Sequence, residues 1–394
     1  MLWYDVRFST KRNDDMPDPR YTKLADLLIN YSTCIQPGEH LLIEAFDMPQ
    51  EMIVELVRAT ASAGGHPHVS IRDAQIMRAL HDEAEDAQYE VWSDYDLERM
   101  KQMDAYLGMR GSHNVSEMSG LDAERQQAWG RIYGTPVHMK QRLNHTRWCV
   151  LRWPTPGMAQ LAGMNTSAFE DFYFDVCTLD YSLMAESAEK LVEVMNATDQ
   201  VHIQGPGDTD LTFSIKDIPA IPCCGRVNIP DGEVFTAPVK DSINGVIHYN
   251  TPSIYRGHSF ENIRLEFKDG KIVSCSADQG GEFLEGIFDS DEGARYVGEF
   301  AIGFNPYIKE AMKDILFDEK IAGSLHFTPG NAYDDACNGN KSEVHWDLVL
   351  IQRPEHGGGT ISFDGEVIRK DGVFVKEELL ALNPENLLGA ACTV

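Results

Sequence analysis

The stretch Ser342-Glu343-Val344-His345-Trp346-Asp347-Leu348-Val349-Leu350 carries the sharpest local signal for chemistry. Successive side chains of a β-strand point to opposite faces, so a strand here puts His345 and Asp347 on one face. An imidazole and a carboxylate placed this way can bind a hard or borderline metal ion. The apolar residues that follow would anchor the strand in a core. Taken alone, the pair fits an ordinary surface His–Asp contact better, so a metal reading needs partners.

Candidate partners lie upstream. Glu233 follows a Pro-Asp-Gly turn in NIPDGEVFTAP, and Glu299 stands in the apolar setting ARYVGEFAIGFNP. A charged carboxylate in apolar surroundings needs a counter-charge, which a metal ion would provide. His326 lies in DEKIAGSLHFTPGNAY, with Glu319 before it and Tyr333 after it. Singly, each fits a structural role: a packed histidine, a turn glutamate, a helix-end carboxylate. Together Glu233, Glu299, His326, His345 and Asp347 offer two imidazoles and three carboxylates, which suits one or two ions of zinc, manganese, cobalt or iron. His66 and His68 in GGHPHVS read as a loop entering a sheet. One of His248 and His258 is expected to line the pocket, and Arg226 fits a salt bridge.

Two kinds of element must position these residues. In the first half, HLLIEAF (40–46), HVSI (68–71), DAYLGM (104–109) and TRWCVLRW (146–153) are short apolar runs separated by segments of helical spacing. Such alternation argues for a parallel sheet with helices on both faces. No GxGxxG or P-loop opens a helix there, so no nucleotide site is indicated. Beyond about residue 200 the texture becomes alternating strands joined by turns such as Lys268-Asp269-Gly270-Lys271 and Asp364-Gly365. Helices are expected near 280–295 and 306–318. The fold class is therefore α/β: an N-terminal open parallel sheet domain with flanking helices (1–195) and a C-terminal β-rich α+β metal-binding domain (196–394).

Charge narrows the partners. With 34 Lys+Arg against 62 Asp+Glu in 394 residues, the net charge is −28. A body this acidic repels phosphate backbones and anionic lipid, so neither nucleic acid nor a membrane surface is an expected partner. No run approaches the roughly 18 apolar residues of a membrane span. MLWYDVRFSTKRNDD has no apolar stretch suited to a signal peptide. The cysteines form no CxxC pair, and scattered thiols fit a reducing cytoplasm.

The succession NIPDGEVFTAP, GARYVGEFAIGFNP, LFDEKIAGSLHFTPGNAY, SEVHWDLVL and GTISFDGEVIRKDGVF resembles the aminopeptidase T / aminopeptidase S family of metallopeptidases. RWPTPGMAQLAGMNTSAFEDFYFDVCTLDY resembles that family's segment before its catalytic domain. The resemblance implies a dinuclear centre of zinc, cobalt or manganese in which Glu233, Glu299, His326, His345 and Asp347 are ligands and Glu299 bridges the ions. It implies Glu319 as general base, Tyr333 as stabiliser of the tetrahedral intermediate, and a homodimer. This sequence departs from the family pattern between Glu319 and His345, around the substrate pocket and not at the ligands.

Two enzymatic readings follow, and a non-enzymatic binding protein is the third. An aminopeptidase would use a hydroxide held by two ions, with Glu319 moving the proton. Alternatively, His326, His345 and Asp347 alone make a two-histidine, one-carboxylate set suited to Fe(II). Relatives of the family resemble ring-cleaving dioxygenases of dihydroxypyridines and aromatic aminohydrolases. The substrate is accordingly a peptide or a small molecule.

Overall fold

The computed structural model describes residues 18–388. The stretch read for a signal peptide, and Cys392, lie outside them. Four strands of the first half form a parallel sheet: β1 (His40–Phe46), β2 (His66–Arg72), β3 (Ala105–Arg110) and β4 (Arg147–Arg152). Their order is β2-β1-β3-β4, matching the expected open sheet. The central strands β1 and β3 are buried along nearly their whole length, because helices cover both faces. Edge strand β2 is largely exposed, and it carries His66 and His68.

The proposed division at 195/196 falls near the end of the helix Tyr181–Ala197. One short strand from beyond that point, Asn228–Ile229, pairs in parallel with β4 and completes the first sheet. No helix among the described residues is long and apolar enough to cross a membrane.

The second half holds an eight-stranded antiparallel sheet, with Asp210–Ser214 and Gln200–Gln204 near its middle, and a five-stranded one. The smaller sheet runs Val349–Ile351, Ser324–Pro329, Val297–Gly303, Glu233–Thr236, Ile221–Cys223, every neighbour antiparallel. Phe213 of the large sheet packs against Phe300 and Phe327 of the small one, with ring centroids 5.0 Å apart in both pairs. Both turns read from the sequence form hairpins with two left-handed residues, Asp269-Gly270 (φ 48° and 83°) and Asp364-Gly365 (φ 47° and 86°). Left-handed pairs match the twist of the flanking strands.

The helices expected near 280–295 and 306–318 are shorter, Gly281–Phe288 and Ile315–Asp318. Lys313 is left-handed (φ 60°), which no α-helix includes, so the second helix starts only after it. Its N-cap is Asp314, whose side chain accepts from the Leu316 amide.

Candidate metal centre

Three adjacent strands of the small sheet carry the first group of candidates. Strand register pairs Gly303 with Glu233 and Ala301 with His326. Side-chain alternation then sends Phe300 and Phe327 into the core and turns Glu299 and His326 to the opposite face. Small residues on that face leave room for what crosses it. A Cβ at Gly303 would meet the backbone oxygens of Ile321 and Glu319 at 2.8 and 2.9 Å, so glycine lets the segment bearing Glu319 lie against the strand.

His345 and Asp347 reach the same place by another route. The expected strand over 342–350 is regular only at Val349–Ile351; His345 makes a single bridge to Gly330, and Asp347 lies in no ladder. Trp346 takes up the intervening position, stacked on Tyr255 and buried. The two side chains still converge: His345 Nε2 is 3.2 Å from Asp347 Oδ1 and 3.4 Å from Glu299 Oε2. On the other side, His326 Nε2 is 3.2 Å from Glu299 Oε1 and its Nδ1 is 3.5 Å from Glu233 Oε2.

Proton counting shows what these contacts lack. His345 Nδ1 lies 2.9 Å from the Asn331 carbonyl, which can only accept, so Nδ1 is the donor. In a neutral ring Nε2 then presents a lone pair to two carboxylates. A backbone carbonyl fixing a ring in this way is the usual support of a metal-binding histidine. His345 Nε2, His326 Nδ1 and Glu233 Oε2 are all buried without a hydrogen-bond partner. A cation would satisfy all three atoms, and the oxygen and imidazole donors suit a divalent one.

The electrostatics agree. Desolvation works against the charged imidazoles, yet the surrounding carboxylates hold His326 up at about 10 and His345 at about 12. Burial pushes Glu233 up to about 8. Glu299 and Asp347 sit below their ordinary values despite desolvation, because both imidazoles face them. Thr328 Oγ1 also donates to Asp347 Oδ1 at 2.8 Å.

Single ligand atoms of Glu233, Glu299 and His326 lie within 4.8 Å of one another, as do those of Glu299, His345 and Asp347. Glu299 is common to both groups. Glu319, His326 and Asp347 make a further group of the same kind.

Sequence reasoning missed Lys320. Its side chain is only 1% exposed, and its Nζ lies 2.5 Å from Glu233 Oε1, 2.7 Å from Glu319 Oε1 and 3.6 Å from Asp231 Oδ1. Desolvation opposes its charge, but these carboxylates raise its pKa well above the ordinary lysine value. The chain thus provides a fixed cation beside Glu233. Asp231 is equally buried and accepts from the amides of Gly225 and Gly232.

Glu319 is the C-cap of Ile315–Asp318, and desolvation raises its pKa. Tyr333 sits at the rim, 48% exposed, its ring 4.8 Å from that of His345 and 5.6 Å from that of Phe235. Partial desolvation and the nearby carboxylates raise its phenol. His248 lies 4.0 Å from Asp208, His258 stacks on Phe283, and Arg226 covers Tyr31; none joins the cluster.

Comparisons with known proteins place the chain's fold and family. Aminopeptidase AmpS of Bacillus subtilis (strain 168) is 24% identical over 361 residues, covering 82% of this chain and 87% of its own. The solved wild-type AmpT of Thermus thermophilus superposes with a TM-score of 0.77 at 23% identity, over 91% of this chain and 99% of that one. The 2,5-dihydroxypyridine dioxygenase of Pseudomonas putida KT2440 shares the fold at a TM-score of 0.58 and 12% identity, covering 91% of this chain and 98% of that one. The model of the thermophilic metalloprotease (M29) family matches residues 18–374, and the chain belongs to that family.

Proposed function

We propose that Glu233, Glu299, His326, His345 and Asp347 hold two divalent ions, zinc, cobalt or manganese, with Glu299 shared between them. The enzyme is a metal-dependent aminopeptidase, as its family and its aminopeptidase relatives indicate. The observation that carries the two-ion reading is the set of buried, unpartnered atoms: two imidazole nitrogens and a carboxylate oxygen turned toward further carboxylates.

When bound, divalent ions supply Lewis acidity, lowering the pKa of a water and polarising the scissile carbonyl. The chain's own residues do the rest. Glu319, held by Lys320 through Oε1, takes the proton of the attacking water and passes it to the leaving amine. Its raised pKa suits both halves of that transfer. Tyr333 donates its phenolic proton to the oxygen that gains charge in the tetrahedral intermediate. Lys320 keeps Glu233 oriented with Oε2 free. The homodimer, with the N-terminal domain walling off the site, belongs to the same reading.

The Fe(II) alternative would use His326, His345 and Asp347 without Glu233. Glu233 lies close enough to His326 to serve the same ion set, which favours the five-donor hydrolytic centre. Metal analysis and an aminoacyl-anilide panel test the proposal together. Two ions per chain, loss of hydrolysis on chelation and loss of metal in Glu299→Ala are expected. Full hydrolysis after complete metal removal refutes it, and oxygen uptake by the iron-loaded enzyme establishes the alternative.

A further inference from the structure

The carboxyl ends of β1–β4 line a second cavity, of about 350 Å³, that peptide hydrolysis does not use. In the order β2-β1-β3-β4 the chain leaves β1 on one side and returns on the other with β3. Open parallel sheets bind ligands at the carboxyl end of such a reversal. Phe46 closes β1 and Arg110 closes β3, and both line the cavity.

In a chain of charge −28, three of these four strands end on arginine: β2 on Arg72, β3 on Arg110, β4 on Arg152. All three line this space. Arg72 is taken up by ion pairs with Glu44 and Asp96 and a hydrogen bond to the Tyr133 hydroxyl. Arg152 uses only Nε, on Asp314 at 3.0 Å. The Arg110 side chain has no hydrogen bond or ion pair among the described residues and lies over Phe46, 5.6 Å from its centroid. His138 also lines the cavity; its Nδ1 is buried without a partner, and near it Arg142 Nε and Nη1 are likewise buried and unpartnered. Arg142 lies outside the lining, so the guanidinium groups an anion in the cavity can reach are Arg110 and the free end of Arg152.

The walls select the kind of anion. Phosphate is commonly bound by free amides at a helix start. Here the start of the helix Ala74–Glu83 is taken: Asp47 accepts from the Ala74 amide and Asp73 from the Ile76 amide, both at 2.9 Å. Side-chain guanidinium groups remain, beside the apolar rings of Phe46, Trp129 and Tyr133, the last two stacked on each other at 4.0 Å. Guanidinium matches a carboxylate with two parallel hydrogen bonds.

We propose that this cavity binds a small organic carboxylate, its flat apolar body between Phe46 and the stacked pair Trp129–Tyr133, its carboxylate on Arg110 and the free end of Arg152. Because Arg152 also holds Asp314, the cap of the helix leading to Glu319, the bound anion shares a guanidinium with the catalytic domain.

Isothermal titration of the metal-loaded protein with benzoate tests this, with benzamide and inorganic phosphate as separate arms. Saturable binding of one benzoate per chain is expected, weakened at least tenfold by Arg110→Gln. Arg110 is exposed and its side chain makes no hydrogen bond or ion pair among the described residues, so that variant keeps its fold. Benzamide and phosphate should bind at least tenfold more weakly than benzoate. No saturable benzoate binding overturns the proposal. So does binding that Arg110→Gln leaves unchanged, which would place benzoate on the metal centre, and so does phosphate binding as tightly as benzoate.

Discussion

Lys320 Nζ lies 2.5 Å from Glu233 Oε1, and both side chains are almost wholly buried. This ammonium neutralises part of a cluster that would otherwise carry five carboxylates, Asp231, Glu233, Glu299, Glu319 and Asp347. Removing one partner of a buried ion pair leaves an uncompensated charge, at a cost of about 3–5 kcal/mol. Lys320→Met should therefore lower the unfolding free energy of the metal-free protein by that amount, measured by denaturant titration. Added metal should recover part of the loss by binding only the folded state.

Glu319 touches the cluster through Lys320 but belongs to only one of the four candidate ligand groups, the fourth being Cys223, Asp231 and Glu233. Glu319→Gln should keep the full metal content and lower kcat by about 10²–10⁴-fold, the range for losing a general base. Stopped assays on an aminoacyl anilide, paired with elemental analysis, check both halves. Loss of metal in this variant would make Glu319 a ligand instead.

Gly303 tests positioning without touching a donor. In Gly303→Ala the new methyl would meet the Glu319 and Ile321 carbonyls, so the 319–321 segment must move off the strand. A 1 Å misplacement can cost about 10²-fold in rate. Activity should fall to that extent while circular dichroism stays unchanged.

His138 sets a pH dependence away from the metal centre. Burial, with help from Arg142, Arg110 and Arg72, lowers it from 6.5 to about 4. As pH falls below 6.5 the unfolded chain takes up this proton and the folded protein does not. Stability should therefore decline from pH 6.5 to about 4 and level off below, as far as this group contributes. His138→Asn should flatten that limb in midpoint-versus-pH curves compared with the parent protein.

Much of this was legible in the sequence, for identifiable reasons. The strands β1, β3 and β4 show as apolar runs because a parallel sheet is covered on both faces. The hairpins show because only Gly, Asn and Asp readily take left-handed turns. The five donors stand out through their order along the chain. Lys320 did not, because a lysine beside a glutamate reads as a solvated helix end, and only the fold buries it. Asn331 was invisible for another reason: it acts through its backbone carbonyl, which any residue could offer. The strand Asn228–Ile229, two residues long, is too short to carry a pattern.

The phenylalanines behind the centre have a further consequence. Glu299 and His326 are each flanked in their strands by a ring, Phe300 or Phe327, locked against Phe213. Tyr333 and Asn331 belong instead to the connection between Pro329 and His345. The molecule thus separates what must stay fixed from what can drift. On the proposed two-ion centre, substitutions in that connection would retune which side chains are accepted while ion spacing is preserved, whereas a single lost ring in the core would be felt as a change in metal affinity.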